Sequence, residues 1–130
     1  MGATPRQIYE IPITWDSNNR SQPILVSNFR NVGLTVVGTG NVSVLASKSA
    51  PAGGEKGTKV IDFNSASTIN NSYATVAIYD ETVLVNNWVL SLVVAGSTKL
   101  GEVDINELSW ICLQRSGSGV DASVTVADNL

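Results

Sequence analysis

The chain has 130 residues, 43% of them hydrophobic and 15% charged, with a formal net charge of −3, no histidine and a single cysteine. That length makes one domain able to bury roughly two thirds of its unfolded surface without staples, and a lone Cys112 excludes an intramolecular disulfide. Eight Lys and Arg scattered along the chain lack the clustering that phosphate tracking needs, and without histidine the commonest general base is missing and no metal-ligand spacing is present.

Residues 1–10 carry no apolar run behind their early cation, so synthesis in the cytoplasm is expected. Arg6 stands where a myristoylation signal needs Ser or Thr. Residues 7–14 place Tyr9, Ile11 and Ile13 on one face, while Pro12 removes a ladder donor and predicts an edge strand or an arm reaching a neighbouring subunit. Trp15 opens a polar loop over residues 15–22 and is expected either to fold back as a lid on the core or to stand out as a contact. Residues 1–21 are thus read as an N-terminal arm, edge strand and loop, and residues 22–130 as a single domain.

Residues 23–27 and 29–37 read as strands, the second with Val32, Leu34 and Val36 facing one way. Gly38-Thr39-Gly40-Asn41 predicts a hairpin turn, from which Val42, Val44 and Ala46 return inward. Residues 50–57 read as a surface loop. They do not meet the phosphate-loop pattern, because no Gly-Lys pair is followed by Ser or Thr. Strands follow at 59–63 and 73–79. Residues 82–94 predict a hairpin closed by Asn86-Asn87, whose apolar run 89–94 fits a central strand covered on both faces, by the rest of the fold or by a second subunit. That run is far too short for a membrane span. Gly96-Ser97 predicts another turn.

The last stretch, 102–126, organises the reading. Val103, Ile105, Leu108, Trp110 and Cys112 share one face if Asn106-Glu107 shifts the register, and Ser116-Gly117-Ser118-Gly119 predicts a hairpin turn into a half-buried strand with Val120, Ala122, Val124 and Val126 inward. Periodicity of two throughout and no helical spacing predict an all-β fold: an antiparallel β-sandwich of jelly-roll or Greek-key type, with about eight to ten short strands. Expected core positions are Leu34, Val36, Trp88, Trp110, Cys112 and Val124, the two tryptophans serving as buried pillars. Cys112 reads as a small buried hydrophobe, and the scattered carboxylates as solvated turn and edge residues. No catalytic residue, cofactor or metal is assigned, and the chain is not read as an enzyme.

Two segments carry a resemblance. Val26-Ser27-Asn28-Phe29-Arg30-Asn31-Val32-Gly33-Leu34-Thr35-Val36 resembles the V-S-x-F/Y-R-x-V-x-L-x-V segment of small all-β virion proteins encoded among the structural genes of tailed bacteriophages. Val103-Asp104-Ile105-Asn106-Glu107-Leu108-Ser109-Trp110-Ile111 resembles their V-x-I-N-x-L-x-W-I segment, again followed by a Gly-containing turn and a Val-alternating last strand. The resemblance covers about half the chain. It implies a capsid decoration (cement) or head-accessory protein, located in the virion and displayed in many copies. Implied partners are the chain itself, with a homotrimer favoured, and the major capsid protein or another virion protein; no nucleic acid or membrane is expected. Arg6, Tyr9, Ile11, Ile13 and Trp15 are the expected subunit or capsid contacts. The alternative is a carbohydrate-binding module or receptor-binding β-sandwich knob, which would place aromatics on loops or exposed faces.

Overall fold

β-Branched and small residues alternate along Phe29–Ser47, and this run forms one 19-residue strand, β3, around which the rest of the sheet assembles. The computed structural model describes residues 8–26, 29–47, 74–104 and 110–128. The other strands are β1 (Ile8–Ile11), β2 (Ile24–Leu25), β4 (Ala74–Val76), β5 (Ile78–Asp80), β6 (Trp88–Val89), β7 (Leu92–Val103), β8 (Trp110–Arg115) and β9 (Val120–Asp128). All pairings are antiparallel. The described residues are therefore all-β, with nine strands in one sheet ordered β1-β9-β3-β7-β5-β6; β4 and β8 also pair with β3, and β2 with β8. The expected strand at 59–63 and loop at 50–57 lie outside the described residues.

The sheet is one ladder, yet it is not flat. Val76 of β4 pairs with Val44 of β3, and Ile78 of β5 pairs with Val103 of β7, which itself lies opposite Val32. Along an extended strand Val32 and Val44 are about 40 Å apart. Ala77 alone bridges that separation, so the sheet folds back and its two halves face each other across the core.

The fold line runs through the three glycine-containing segments that read as turns, and none of them is a hairpin. Gly38 and Gly40 have φ of 102° and 142°, Gly96 has φ of 72°, and the register of β3 against β7 shifts between Gly38 and Thr39. β8 pairs with Val42 to Ser47 of β3, and β9 continues along the same strand from Gly38 back to Phe29. Residues 116–119 are thus a bulged corner between two collinear strands. The Thr39 N–H donates to the Gly119 carbonyl (2.9 Å), the Ser116 N–H to the Asn41 carbonyl (2.9 Å), and the Gly96 N–H to Thr39 Oγ1 (3.1 Å). Each long strand crosses the same line, and glycine supplies the positive φ that the bend requires in β3 and β7.

The core fills the fold. Val32, Leu34 and Val36 pack with Val42, Val44 and Ala46 from the other half of β3, with Val120, Val124 and Val126 of β9, and with Ile78, Leu92, Val94 and Val103. In β8 the core-facing residues are Ile111 and Leu113. Cys112, between them, is buried on the opposite face beneath the segment that carries Ser21, whose carbonyl accepts from its Sγ at 3.4 Å. The parity of this strand is therefore opposite to the one expected from Trp110 and Cys112. Residues 105–109, where the register was expected to shift, lie outside the described residues.

Both expected tryptophan pillars are corrected. Trp88 is 57% exposed, because among the described residues β6 is the last strand of its run and pairs only with β5. Trp110 is half-buried at the start of β8, opposite Leu25 of β2 and Ser47 of β3, and is not part of the core cluster. The apolar run 89–94 is also not one central strand; it breaks at Leu90-Ser91 into β6 and β7.

Candidate functional site at the free β5–β6 edge

The longest run of paired strands, β1-β9-β3-β7-β5-β6, has two ends, and β2 and β4 form further edges. At one, β1 pairs with β9 through Ile8 to Ile11. Tyr9 of that strand is exposed and its ring meets Phe29 (centroids 6.2 Å apart), while Ile11 and Ile13 are half-buried against the core. Trp15 is half-buried too. Its Nε1 donates to Asp121 Oδ1 (2.9 Å), and the Arg115 guanidinium lies 4.5 Å over its ring. A ring face and the polar edge are thus engaged within the chain, and the side chain packs against the core, as the lid reading of this residue requires. Arg6 lies outside the described residues. Of the five expected contact residues, Tyr9 is the exposed one among those described.

At the other end lies a different surface. Asp80, 2% exposed, ends β5 pointing into the fold, and its Oδ2 is 2.7 Å from Lys99 Nζ on β7. Its Oδ1 accepts from the Thr82 N–H (2.9 Å) and Thr82 Oγ1 (2.6 Å). Burial pushes the Asp80 carboxyl up, but the hydrogen bonds from Lys99 and Thr82 outweigh it and hold the group below the usual carboxylate range. The main chain is tied in the same place. The Asp80 N–H donates to the Asn87 carbonyl (2.7 Å), and Asn87 Nδ2 returns to the Asp80 carbonyl (3.1 Å) and the Val83 carbonyl (2.7 Å). The Glu81 N–H donates to Leu100 O (2.9 Å), and Asn86 takes φ of 54°.

What this scaffold displays is apolar. Leu84 is 98% exposed, and Val85, Leu90 and Trp88 are more than half exposed. Tyr79 and Trp88, opposite one another across β5 and β6, meet edge to face with centroids 5.1 Å apart at 71°. A loop fixed by a buried ion pair and six hydrogen bonds to hold a leucine in water serves no core. Large exposed apolar side chains concentrated on one short loop and the strand after it mark an interaction site. No sequence signal singles it out: residues 82–98 hold no Asp, Glu, Lys or Arg, and neither do residues 31–47 or 63–79.

A second feature is a cleft of about 250 Å³ on the outer face of the sheet, lined by Asn31, Gly33 and Thr35 of β3, Leu100 and Glu102 of β7 and Thr125 of β9, with Glu81 at one side. These are the outward positions of three adjacent strands. Among the described residues no group of three or more His, Cys, Asp or Glu side chains gathers, and no helix is long and apolar enough to cross a membrane.

No known family profile matches the chain, and no curated protein matches it in sequence. In fold it is similar to the crystal structure of the SPBc2 prophage-derived protein YomS, with a TM-score of 0.63 and 12% sequence identity over 98% of this chain and 99% of that one. A likeness at that identity is one of fold, and it extends over the whole of both chains.

Proposed function

We propose that the chain is a structural protein of a bacteriophage particle, acting as a capsid decoration or head-accessory subunit that binds and stabilises the particle surface. The observation that carries this reading is the end-to-end likeness in fold to a prophage-derived protein, beside the two segments that resemble small phage virion proteins. The rigid apolar edge at β5–β6 supports it as well, because a protein that works by being assembled needs a surface to assemble through. In this reading the chain binds and does not catalyse. Many copies, each making a modest contact, resist internal pressure collectively.

The test is made on particles from the bacterium that carries the gene. After induction, particles banded in a density gradient are analysed for the chain by quantitative mass spectrometry. The expected result is co-banding in many copies per particle, and particles from a deletion strain that assemble but lose their heat resistance. A chain that stays in the soluble fraction of the lysate overturns the reading.

The exposed Tyr79–Trp88 pair favours a second reading, a glycan-binding module, since sugars stack on such rings. Titration of Trp fluorescence with host polysaccharides separates the two. Saturable quenching supports the module, and a flat response supports the structural role.

A further inference from the structure

We infer that the β5–β6 edge is the contact through which two copies of this chain associate, each laying the same edge against the other about a two-fold axis. The inference rests on the structural-protein reading above and names its partner.

β1 and β6, the two ends of the longest run of paired strands, differ in how they are defended. An exposed edge strand templates pairing with any other strand, and folded proteins blunt such edges with charge or proline. β1 carries Glu10 and is followed by Pro12. β6 has neither, nor does any position from Thr82 to Thr98. A two-residue edge is already blunted by its shortness, so what β6 and the loop before it offer a partner is chiefly their exposed apolar side chains.

The chemistry of the patch selects the occupant. Tyr79, Leu84, Val85, Trp88 and Leu90 together expose on the order of 700 Å², close to the ~800 Å² that one partner contributes to a stable interface. A partner recognised by charge finds no counter-charge among these side chains. A glycan needs directed hydrogen bonds beside the stacking ring, but Thr82 and Asn87 are already bonded inward to Asp80 and Val83. A second copy presents the same apolar surface and, from β6, a strand edge equally unpaired among the described residues. Two such edges meet antiparallel around a two-fold axis with like facing like, as an isologous contact requires, and the exposed carboxylates Glu81, after β5, and Glu102, opposite Tyr79 on β7, flank the seam. The contact therefore sits at the end of the sheet opposite the N-terminal arm, and closes as a pair.

Light scattering on the purified chain across a dilution series tests this without any particle, so it stands or falls separately from co-banding. The wild type is expected to run as a dimer or an even-numbered assembly of dimers. Leu84→Lys, at a side chain exposed enough that the fold does not need it, is expected to weaken association by ~100-fold or more, since a two-fold contact repeats the substitution. Circular dichroism melts establish that the variant is folded. Ile8→Lys, at the opposite sheet end, is expected to leave the mass unchanged. A wild type that stays monomeric at every concentration overturns the inference, and so does a trimer. A Leu84→Lys mass equal to wild type, or dissociation by Ile8→Lys instead, also overturns it.

Discussion

Leu92 and Gly101 belong to the same strand, nine residues apart, and they touch: a Cβ on Gly101 would lie 2.8 Å from Leu92 Cδ1 and 2.8 Å from Ile78 Cγ2. Nine extended residues span about 30 Å. The contact exists because β7 turns at Gly96 and brings its two halves over one another. At Gly101 the two halves of β7 approach closely, and its missing side chain is what lets them.

Gly101→Ala is accordingly expected to overpack that contact and cost about 1–3 kcal/mol. Because the crowding atoms are side-chain termini, adding Leu92→Val should recover part of the loss. Urea melts of the two single variants and the double variant measure the coupling.

Gly38→Ala should cost more than Gly96→Ala. Both glycines have positive φ, at 102° and 72°, but a Cβ on Gly38 would run into the Gly119 carbonyl, whereas one on Gly96 meets nothing within 4 Å. Strain of about 1 kcal/mol is expected at Gly96, and about 3 kcal/mol or more at Gly38, where the backbone must shift as well. Equal losses in denaturant midpoints would contradict a corner packed through β3 and residues 116–119.

Asp80 gives the fold an acid-sensitive tie. Its folded carboxyl titrates below the ordinary range, so the stabilisation is fully present above the unfolded value of about 3.9 and is lost as pH falls through the lower folded value. Asp80→Asn should cost about 2–4 kcal/mol at neutral pH, leaving Lys99 without its partner. The difference from wild type should shrink on acidification below about pH 4. Urea midpoints of both proteins between neutral and acid pH measure it.

Cys112 should behave as an inert thiol. Burial pushes it up to about 12, against the opposing effect of its bond to Ser21. A thiol-reactive dye at mildly alkaline pH is expected to label it only at the rate of unfolding, and complete labelling of the native protein within the mixing time would contradict its burial.

Trp88→Ala should leave stability within about 1 kcal/mol of wild type, as surface changes do, where a buried pillar would cost several. Thermal melts read this at low protein concentration, where association does not add to the apparent stability.

The sequence by itself determined the fold class and most of the inward faces. Val32, Leu34 and Val36, then Val42, Val44 and Ala46, then Val120, Val124 and Val126 all point to the core as their alternation implies, because a strand's period of two is a local property that the chain carries wherever it goes. Tertiary structure decided what glycine was for. A positive φ at Gly38 or Gly96 permits a reversal or a bend equally. Which one occurs depends on whether the chain beyond pairs with itself or with strands brought from residues 92–128. Tertiary structure also decided which apolar residues stay outside. Trp88 and Cys112 both sit in apolar stretches, yet one ends the sheet and the other lies under Ser21, because burial is set by which strand is last in the ladder and which loop covers the strand, and no alternation within a segment encodes its neighbours.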